Sequence, residues 1–263
     1  AEDGIRDHCV TGVQTCALPI LRMLSSLEEK AEAVFALGID YVLVLPFTQE
    51  FSQLSPEAFV SDILVKQLNV HTIIIGYDHH FGMNRSGNFA TLVELSKIYN
   101  FAVQEIPATS IDEIAVSSTR IRKALSNNAL HEANQLIGRP YQLAGTVIHG
   151  KQLGRTIGFP TANIHPNDPY KLIPSHGVYA GIASVENKRY KMVCNIGVRP
   201  TVDGDNLSIE AHLFDFNKNI YGEHITLFLV QYLRNEQKFE SLEALKSQIF
   251  LDAQQAQNLV SLD

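Results

Sequence analysis

Hydrophobic and polar positions along the chain fall into two regimes that meet near residue 140. Before that point, helical stripes alternate with short continuous apolar runs. Leu24, Leu27, Ala31 and Val34 recur at helical spacing; Ser25 and Ser26 each have a Glu three residues on, in the capping-box arrangement, and Gly38 supplies a stop. Residues 41–45, Tyr-Val-Leu-Val-Leu, are almost wholly apolar, which predicts a strand covered on both faces. Ser55-Pro56 opens a second helix with a cap and a first-turn proline, and Phe59, Ile63 and Leu64 mark its buried stripe. Residues 72–75 predict another buried strand, 88–99 a third helix and 101–106 a third strand. Two short helices follow over 118–125 and 129–137, and Gly138-Arg139-Pro140 closes the unit. Alternating strands and helices argue for a parallel α/β sheet.

After Pro140 the period changes from helical to twofold. Met192, Cys194 and Ile196 alternate with Val193 and Asn195, and Leu207, Ile209, Ala211 and Leu213 alternate with Ser208, Glu210 and His212. Residues 226–233 form a longer strand, and Gly/Pro-rich turns separate the runs, which predicts an antiparallel sheet or small barrel. Ser241 caps a closing helix with Leu242, Leu245 and Ile249 on its stripe, and Asp252 is expected to start another. The expected organisation is thus a leader over 1–20, an α/β domain over 21–139 and a β domain over 140–263. The leader is set aside because its mixed charges, lack of periodicity and seven-residue Cys9–Cys16 spacing fit neither a signal peptide nor a zinc site; it resembles a non-native extension.

Composition narrows the function classes. Apolar residues make up 45% and charged residues 19% of the 263, as in an ordinary globular chain with a substantial core. No uncharged apolar run approaches the length of a membrane span, so no membrane partner is expected. The net charge of −7 splits as −6 before residue 140 (10 basic, 16 acidic) and −1 after it (11 basic, 12 acidic). Without a basic cluster, nucleic acid is not an expected partner. Three cysteines suit a reducing compartment, and a cytoplasmic location is expected.

Four segments carry candidate chemistry. Ser117-Ser118-Thr119-Arg120-Ile121-Arg122 lies at a helix start, where hydroxyls and free N–H groups bind anions and Arg122 can clamp a phosphate; a capped helix with two solvated arginines is the plainer alternative. The loop Gly76-Tyr77-Asp78-His79-His80-Phe81-Gly82 follows a strand directly, the place where parallel sheets bind ligands; a metal held by the adjacent histidines is disfavoured because neighbouring side chains diverge. Gly150, Gly154 and Gly158 around Arg155 let backbone N–H groups approach phosphates. Thr161 and Asn163, two apart, face one way in an extended segment and offer oxygens to a hard cation such as Mg²⁺. Glu210 points away from the Ile209/Ala211 layer, towards either solvent or a ligand as a general base. His149, His176, His212 and His224 show no metal spacing and are expected to be surface or packing residues.

These residues sit in a longer series: Gly76-x-Asp78-x-x-Phe81-Gly82, the 117–122 run, His149-Gly150, Gly154-Arg155-x-x-Gly158-Phe-Pro-Thr-Ala-Asn163, Gly177-Val-Tyr179, Asn195-Ile-Gly197 with Arg199-Pro-Thr201, and Arg234-x-Glu236-x-Lys238-Phe239. With that order and spacing, the chain from about Leu21 onward resembles the bacterial bifunctional riboflavin kinase/FAD synthetase family. The resemblance implies an α/β nucleotidylyltransferase-like, Rossmann-type domain, incomplete here, followed by a β-barrel flavokinase domain with C-terminal helices. It implies phosphorylation of riboflavin to FMN by ATP with Mg²⁺, with Thr161 and Asn163 holding metal and phosphates and Glu210 accepting the hydroxyl proton. It also implies transfer of AMP to FMN in intact family members, with Ser117, Ser118, Thr119 and Arg122 on the ATP phosphates. Gly76, Asp78, Phe81, Gly82 and Arg234 would line ligand pockets. The family's Gly-Asn-Phe-Asp-Gly-Val-His-x-Gly-His run has no counterpart in this sequence, so FMN formation is the expectation for the chain as written. Its rivals are a kinase-only chain and a non-catalytic flavin or nucleotide binder.

Overall fold

The computed structural model describes residues 22–107, 110–111, 114–150, 153–201 and 204–262. The segment 1–20, set aside above, lies outside them. The described chain forms two compact units, Tyr41–Val116 and Arg22–Asp40 with Ser117–Asp263. The first helix, α1 (Leu27–Ala36), belongs to the second unit. Ser26 rather than Ser25 caps it: its hydroxyl accepts from the Glu29 amide at 3.1 Å, and the Glu29 carboxylate reaches back to the Ser26 amide at 3.2 Å.

In the first unit, α2 (Gln49–Ser52) and α3 (Pro56–Ala58) precede strand β1 (Thr72–Gly76), helix α4 (Phe89–Tyr99) and strand β2 (Ala102–Ile106). Ser55 and Pro56 open α3 as expected, but the helix continues as a π-helix over Phe59–Val65. Its wider turn moves the fully buried face to Val60 and Ser61, while Phe59 and Leu64 pack at the core's margin. Strands β1 and β2 pair in parallel from Thr72↔Ala102 to Gly76↔Ile106, and Ile75, Leu92, Leu95 and Phe101 complete the core with Val60. The strand expected over 41–45 does not form. These residues pair with neither β1 nor β2, and Tyr41 is 90% exposed, with Leu43 and Val44 also largely open. An apolar run becomes a strand only where a neighbour takes its N–H and C=O groups, and among the described residues none does. Ile74 of β1 is likewise 59% exposed. A short antiparallel pair, β3 (Ser110–Ile111) and β4 (Ile114–Ala115), ends the unit.

The second unit adds helices α5 (Ser118–Ser126) and α6 (Leu130–Ile137) and then strands β5 (Tyr141–Ile148), β6 (Ala162–Pro166), β7 (Gly177–Val185), β8 (Lys188–Thr201), β9 (Gly204–Leu213) and β10 (His224–Arg234). A short helix, α7 (Leu153–Thr156), lies between β5 and β6, and α8 (Leu242–Leu259) closes the chain. The six strands form a closed barrel in the order β10-β5-β6-β9-β8-β7. Closure satisfies every edge and leaves one interior face, filled by alternate residues such as Leu143, Ile164, Tyr179, Cys194, Ile196, Ile209, Ala211 and Leu227. Outside, Val178, Ala180 and Val193 pack under α8 through Ala253, Ala256 and Val260. The closing helix is continuous. Asp252 starts no second helix, because its carboxylate is buried at mid-helix and engaged by Arg234.

The two compact units divide at Val116/Ser117, ahead of the sequence boundary expected at 139/140. Asn134 of α6 explains why: its Nδ2 donates to the Leu229 carbonyl at 2.9 Å, and its Oδ1 accepts from the Tyr141 amide at 2.8 Å, so the helix is stitched to β10 and β5. The N-terminal strap joins the same unit. The Met23 amide donates to the Tyr170 carbonyl at 2.7 Å and the Leu172 amide to the Met23 carbonyl at 2.8 Å. Beneath this contact the Lys171 ammonium pairs with Glu29, both side chains 2% exposed, donates to the Leu24 carbonyl at 2.8 Å and lies over the Tyr141 ring. Burial pulls the Lys171 pKa down, and the Glu29 carboxylate opposes that pull.

Two outcomes follow from this packing. Glu29→Gln leaves a buried ammonium without its counter-charge and is expected to destabilise the second unit by about 3–5 kcal/mol in urea unfolding, with the double replacement Glu29→Leu/Lys171→Met recovering most of the loss. Alkaline pH acts through Tyr141, Tyr179 and Cys194. Burial raises all three, Tyr179 to about 12, so the folded state keeps protons that the unfolded chain releases from roughly pH 8.5 for cysteine and about 10 for tyrosine. Stability is therefore complete below that range and falls as pH rises through it, as a denaturation series from pH 7 to 11 will show.

Candidate functional site

The kinase candidates converge on the outer face of β6, β9 and β8. Because side chains alternate, the apolar interior positions Ile164, Ile209, Ala211, Cys194 and Ile196 send their neighbours outward. Asn163 lies opposite Glu210 in the β6–β9 register, and Glu210 lies opposite Asn195 in β9–β8, so three polar residues form one row across three strands. Thr161, just before β6, donates its hydroxyl to Glu210 Oε2 at 3.1 Å, and Ser208 donates to Glu210 Oε1 at 3.2 Å. Glu210 is half-buried and Asn163 buried.

Glycines make room for this cluster. A Cβ on Gly150 would fall 2.3 to 2.6 Å from the Asn163 amide atoms, and one on Gly154 would fall 2.2 Å from the Phe159 carbonyl oxygen. Gly158 has a φ of +88°, which an L side chain rarely adopts. Arg155, in α7, is exposed beside these glycines. A hydroxyl, an amide and a carboxylate thus share one face, all oxygen donors of the hard kind that Mg²⁺ takes while keeping several waters and phosphate oxygens. No group of three or more His, Cys, Asp or Glu side chains that could hold a metal ion occurs among the described residues.

The structure also gives partners to residues that carried no catalytic role in the motif series. Asn195 Nδ2 donates to Glu236 Oε1 at 3.0 Å, and Glu236 closes over Gly197, where a Cβ would come within 2.0 Å of its carboxylate. The Asn195-Ile-Gly197 and Arg234-x-Glu236 motifs carried that signal as polar residues next to strand positions. His212, expected to be a surface or packing residue, has its Nδ1 2.7 Å from the Pro160 carbonyl. Arg234, expected in a ligand pocket, is engaged by Asp252 through Nε at 2.9 Å and Nη2 at 2.7 Å, and Gln248 supports the same carboxylate at 2.9 Å. That fork ties β10 to α8.

The adenylyltransferase candidates divide between the units. In the second, the Ser117 hydroxyl caps α5 by accepting from the Arg120 amide at 3.3 Å, and Ser118 and Thr119 are exposed in the first turn. Arg120 pairs with Glu132 at 2.7 Å, and Arg122 Nε donates to the Arg22 carbonyl at 3.0 Å. A cleft of about 480 Å³ lies along Arg120, Lys123, Asn127 and Glu132. In the first unit, Gly76 and Tyr77 leave β1 at its carboxyl end, Asp78 is exposed, and Phe81 pairs with Gly87 through both backbone bonds. Gly82, at a φ of +71°, sits against Pro56, where a Cβ would fall within 2.7 Å of the backbone. Phe81 ends a run of ring contacts through Phe47, Phe51 and Phe59.

Comparison with known proteins agrees with this arrangement. Residues 137–260 match the family described as riboflavin kinase, and residues 13–120 match the FAD synthetase family. The chain is 42% identical over 236 residues to the bifunctional riboflavin kinase/FMN adenylyltransferase of Buchnera aphidicola subsp. Schizaphis graminum, covering 88% of this chain and 75% of the relative. It is 39% identical over 240 residues to the protein of the same name from Escherichia coli K12, covering 91% and 76%. A crystal structure titled as a macrolide-efflux protein from Streptococcus pneumoniae superposes with a TM-score of 0.80 at 29% identity, covering 90% of this chain and 76% of that one. No helix among the described residues is long and apolar enough to cross a membrane. With Thr161, Asn163 and Glu210 clustered on a six-stranded barrel and relatives of this identity, the chain belongs to the bifunctional riboflavin kinase/FMN adenylyltransferase family.

Proposed function

We propose that this protein acts in flavin cofactor synthesis, phosphorylating the 5′-hydroxyl of riboflavin with ATP and Mg²⁺ on its barrel unit. The observation that carries this reading is the contact of Thr161 with Glu210, which lies opposite Asn163 on the neighbouring strand. In this reading Thr161 and Asn163 hold Mg²⁺ and the ATP phosphates, and the ion, when bound, neutralises charge on the transferring phosphoryl group. Glu210 accepts the proton of the attacking hydroxyl. Its two carboxylate oxygens are oriented by Thr161 and Ser208, so the acceptor is aimed before substrate arrives. Gly150, Gly154 and Gly158 bring backbone N–H groups close to phosphate, and the exposed Arg155 adds a cation. This is the positioning and charge neutralisation that phosphoryl transfer requires.

The second activity, adenylylation of FMN to FAD, is supported by the FAD synthetase match and by the helix start at Ser117, where exposed hydroxyls and N–H groups suit ATP phosphates. Arg122 stands one turn in, and Gly76, Asp78, Phe81 and Gly82 are proposed for the ligand side of that reaction. Arg234 is proposed for the flavin side of the kinase site, with its guanidinium held by Asp252 of α8. Substrates of this chain are then riboflavin, FMN and ATP, in the cytoplasm.

The test supplies purified chain with riboflavin, ATP and Mg²⁺ and follows FMN and FAD by chromatography; absence of FMN from a folded protein would refute the kinase reading. Glu210→Gln keeps the shape but not the basicity and is expected to lower FMN turnover by about 10²–10⁴-fold with flavin binding nearly intact. Turnover within about threefold of the parent would return Glu210 to the role of a solvated strand residue. Gly150→Ala drives a methyl group into the Asn163 amide. It should lower kcat/KM by roughly 10–100-fold, equivalent to about 1.4–2.7 kcal/mol, with little change in thermal midpoint.

A further inference from the structure

We propose that His212 is a positioning residue of the kinase centre, its Nδ1–H holding the Pro160 carbonyl so that Thr161 meets Glu210. The proposal rests on the kinase reading above.

The segment that brings Thr161 to the site has little backbone anchorage. Among the described residues the β6–β9 ladder contains two pairs, Ala162↔Ala211 and Asn163↔Glu210. One step further, Thr161 would stand opposite His212, but that pair is not in the ladder. Pro160 has no N–H to extend it. The His212 side chain replaces the missing pair, with Nδ1 2.7 Å from the Pro160 carbonyl oxygen. A carbonyl only accepts, so Nδ1 carries the proton.

The ring is itself fixed. Phe159 and Phe214 each stand edge-on to it with centroids 5.4 Å away, at 72° and 83°. Phe214 is buried in the apolar layer beneath α8, and Phe159 packs against the same layer. His212 therefore takes its position from the barrel and passes it to the loop. The transfer is mechanical. The Pro160 carbonyl lies in one rigid plane with the Thr161 amide, so holding the oxygen sets the direction in which the Thr161 Cα leaves that plane. Threonine is stiff about its first side-chain bond, so the plane's orientation decides where Oγ1 points. It points at Glu210 Oε2, 3.1 Å away. His212 is also two residues from Glu210 on the same face of β9, so one strand aims both partners of that contact.

Two variants separate this role from simple packing. His212→Phe keeps an aromatic ring between Phe159 and Phe214 but removes the donor. His212→Asn loses the ring but places an amide N–H close to where Nδ1 stood. Without any ligand, amide hydrogen exchange over residues 157–161 is expected to quicken about tenfold in the Phe variant, the effect of losing roughly one hydrogen bond. The Asn variant should stay within about threefold of the parent on the same scale. In kinetics, the Phe variant should raise the KM for Mg·ATP about tenfold with a smaller fall in kcat, and Asn should restore most of it. Parent-like exchange in the Phe variant, or an Asn variant as impaired as Phe, would overturn the proposal. If the parent itself forms no FMN, the kinase reading has failed, and the exchange comparison still decides whether His212 holds this loop.

Discussion

Side chains along a strand alternate between two faces, and the narrow interior of a six-stranded barrel is filled by side chains from one of them. On β6, β9 and β8 that interior is taken by Ile164, Ile209, Ala211, Cys194 and Ile196. Asn163, Glu210 and Asn195 must therefore lie outside, and the register puts them in one row. A slip of one residue would place the Glu210 carboxylate among buried side chains, so the packing that stabilises the barrel also guards the alignment of the site. Core and chemistry obey the same period of two.

Charge inside the second unit works differently. The pair of Lys171 and Glu29 is almost wholly removed from water, and burial of this kind adds little net stability even when the ions are well matched. Its effect is selective. Glu29 completes the capping box of α1 and simultaneously meets Lys171, so helix start and strap position become one event. The Arg234 fork to Asp252 does the same for α8, fastening the last helix to β10.

The loop before β6 is tied to the site through side chains of β9. Glycines at 150 and 154 remove side-chain bulk where Asn163 and the Phe159 carbonyl come close, and Gly158 takes a φ of +88°. Proline at 160 ends the ladder, and Thr161 then stands beyond regular pairing. Segments of low local stability suit ligand binding, provided a few contacts define their closed geometry. Here those contacts come from β9, through Glu210 and His212.

The sequence by itself determined most helix starts, three of the six barrel strands and the direction of the candidate side chains. Helix starts at Ser26, Ser55, Asn88 and Ser117 were legible because capping is local. The outward set of Glu210 and the shared face of Thr161 and Asn163 were legible because alternation is local too. Strands β5, β6 and β7 went unmarked, since a run such as Gly177–Val185, buried along most of its length, carries weak alternation. Only tertiary structure could decide that residues 41–45 lack a strand partner, that α5, α6 and the 22–40 strap belong to the barrel, and that Arg234 turns to Asp252. Strap and barrel meet at Glu29 and Lys171, 142 residues apart, and His212 meets Pro160 across 52. Local spacing dictates which way a side chain faces, but which group it then meets depends on how the barrel closes and what packs against it.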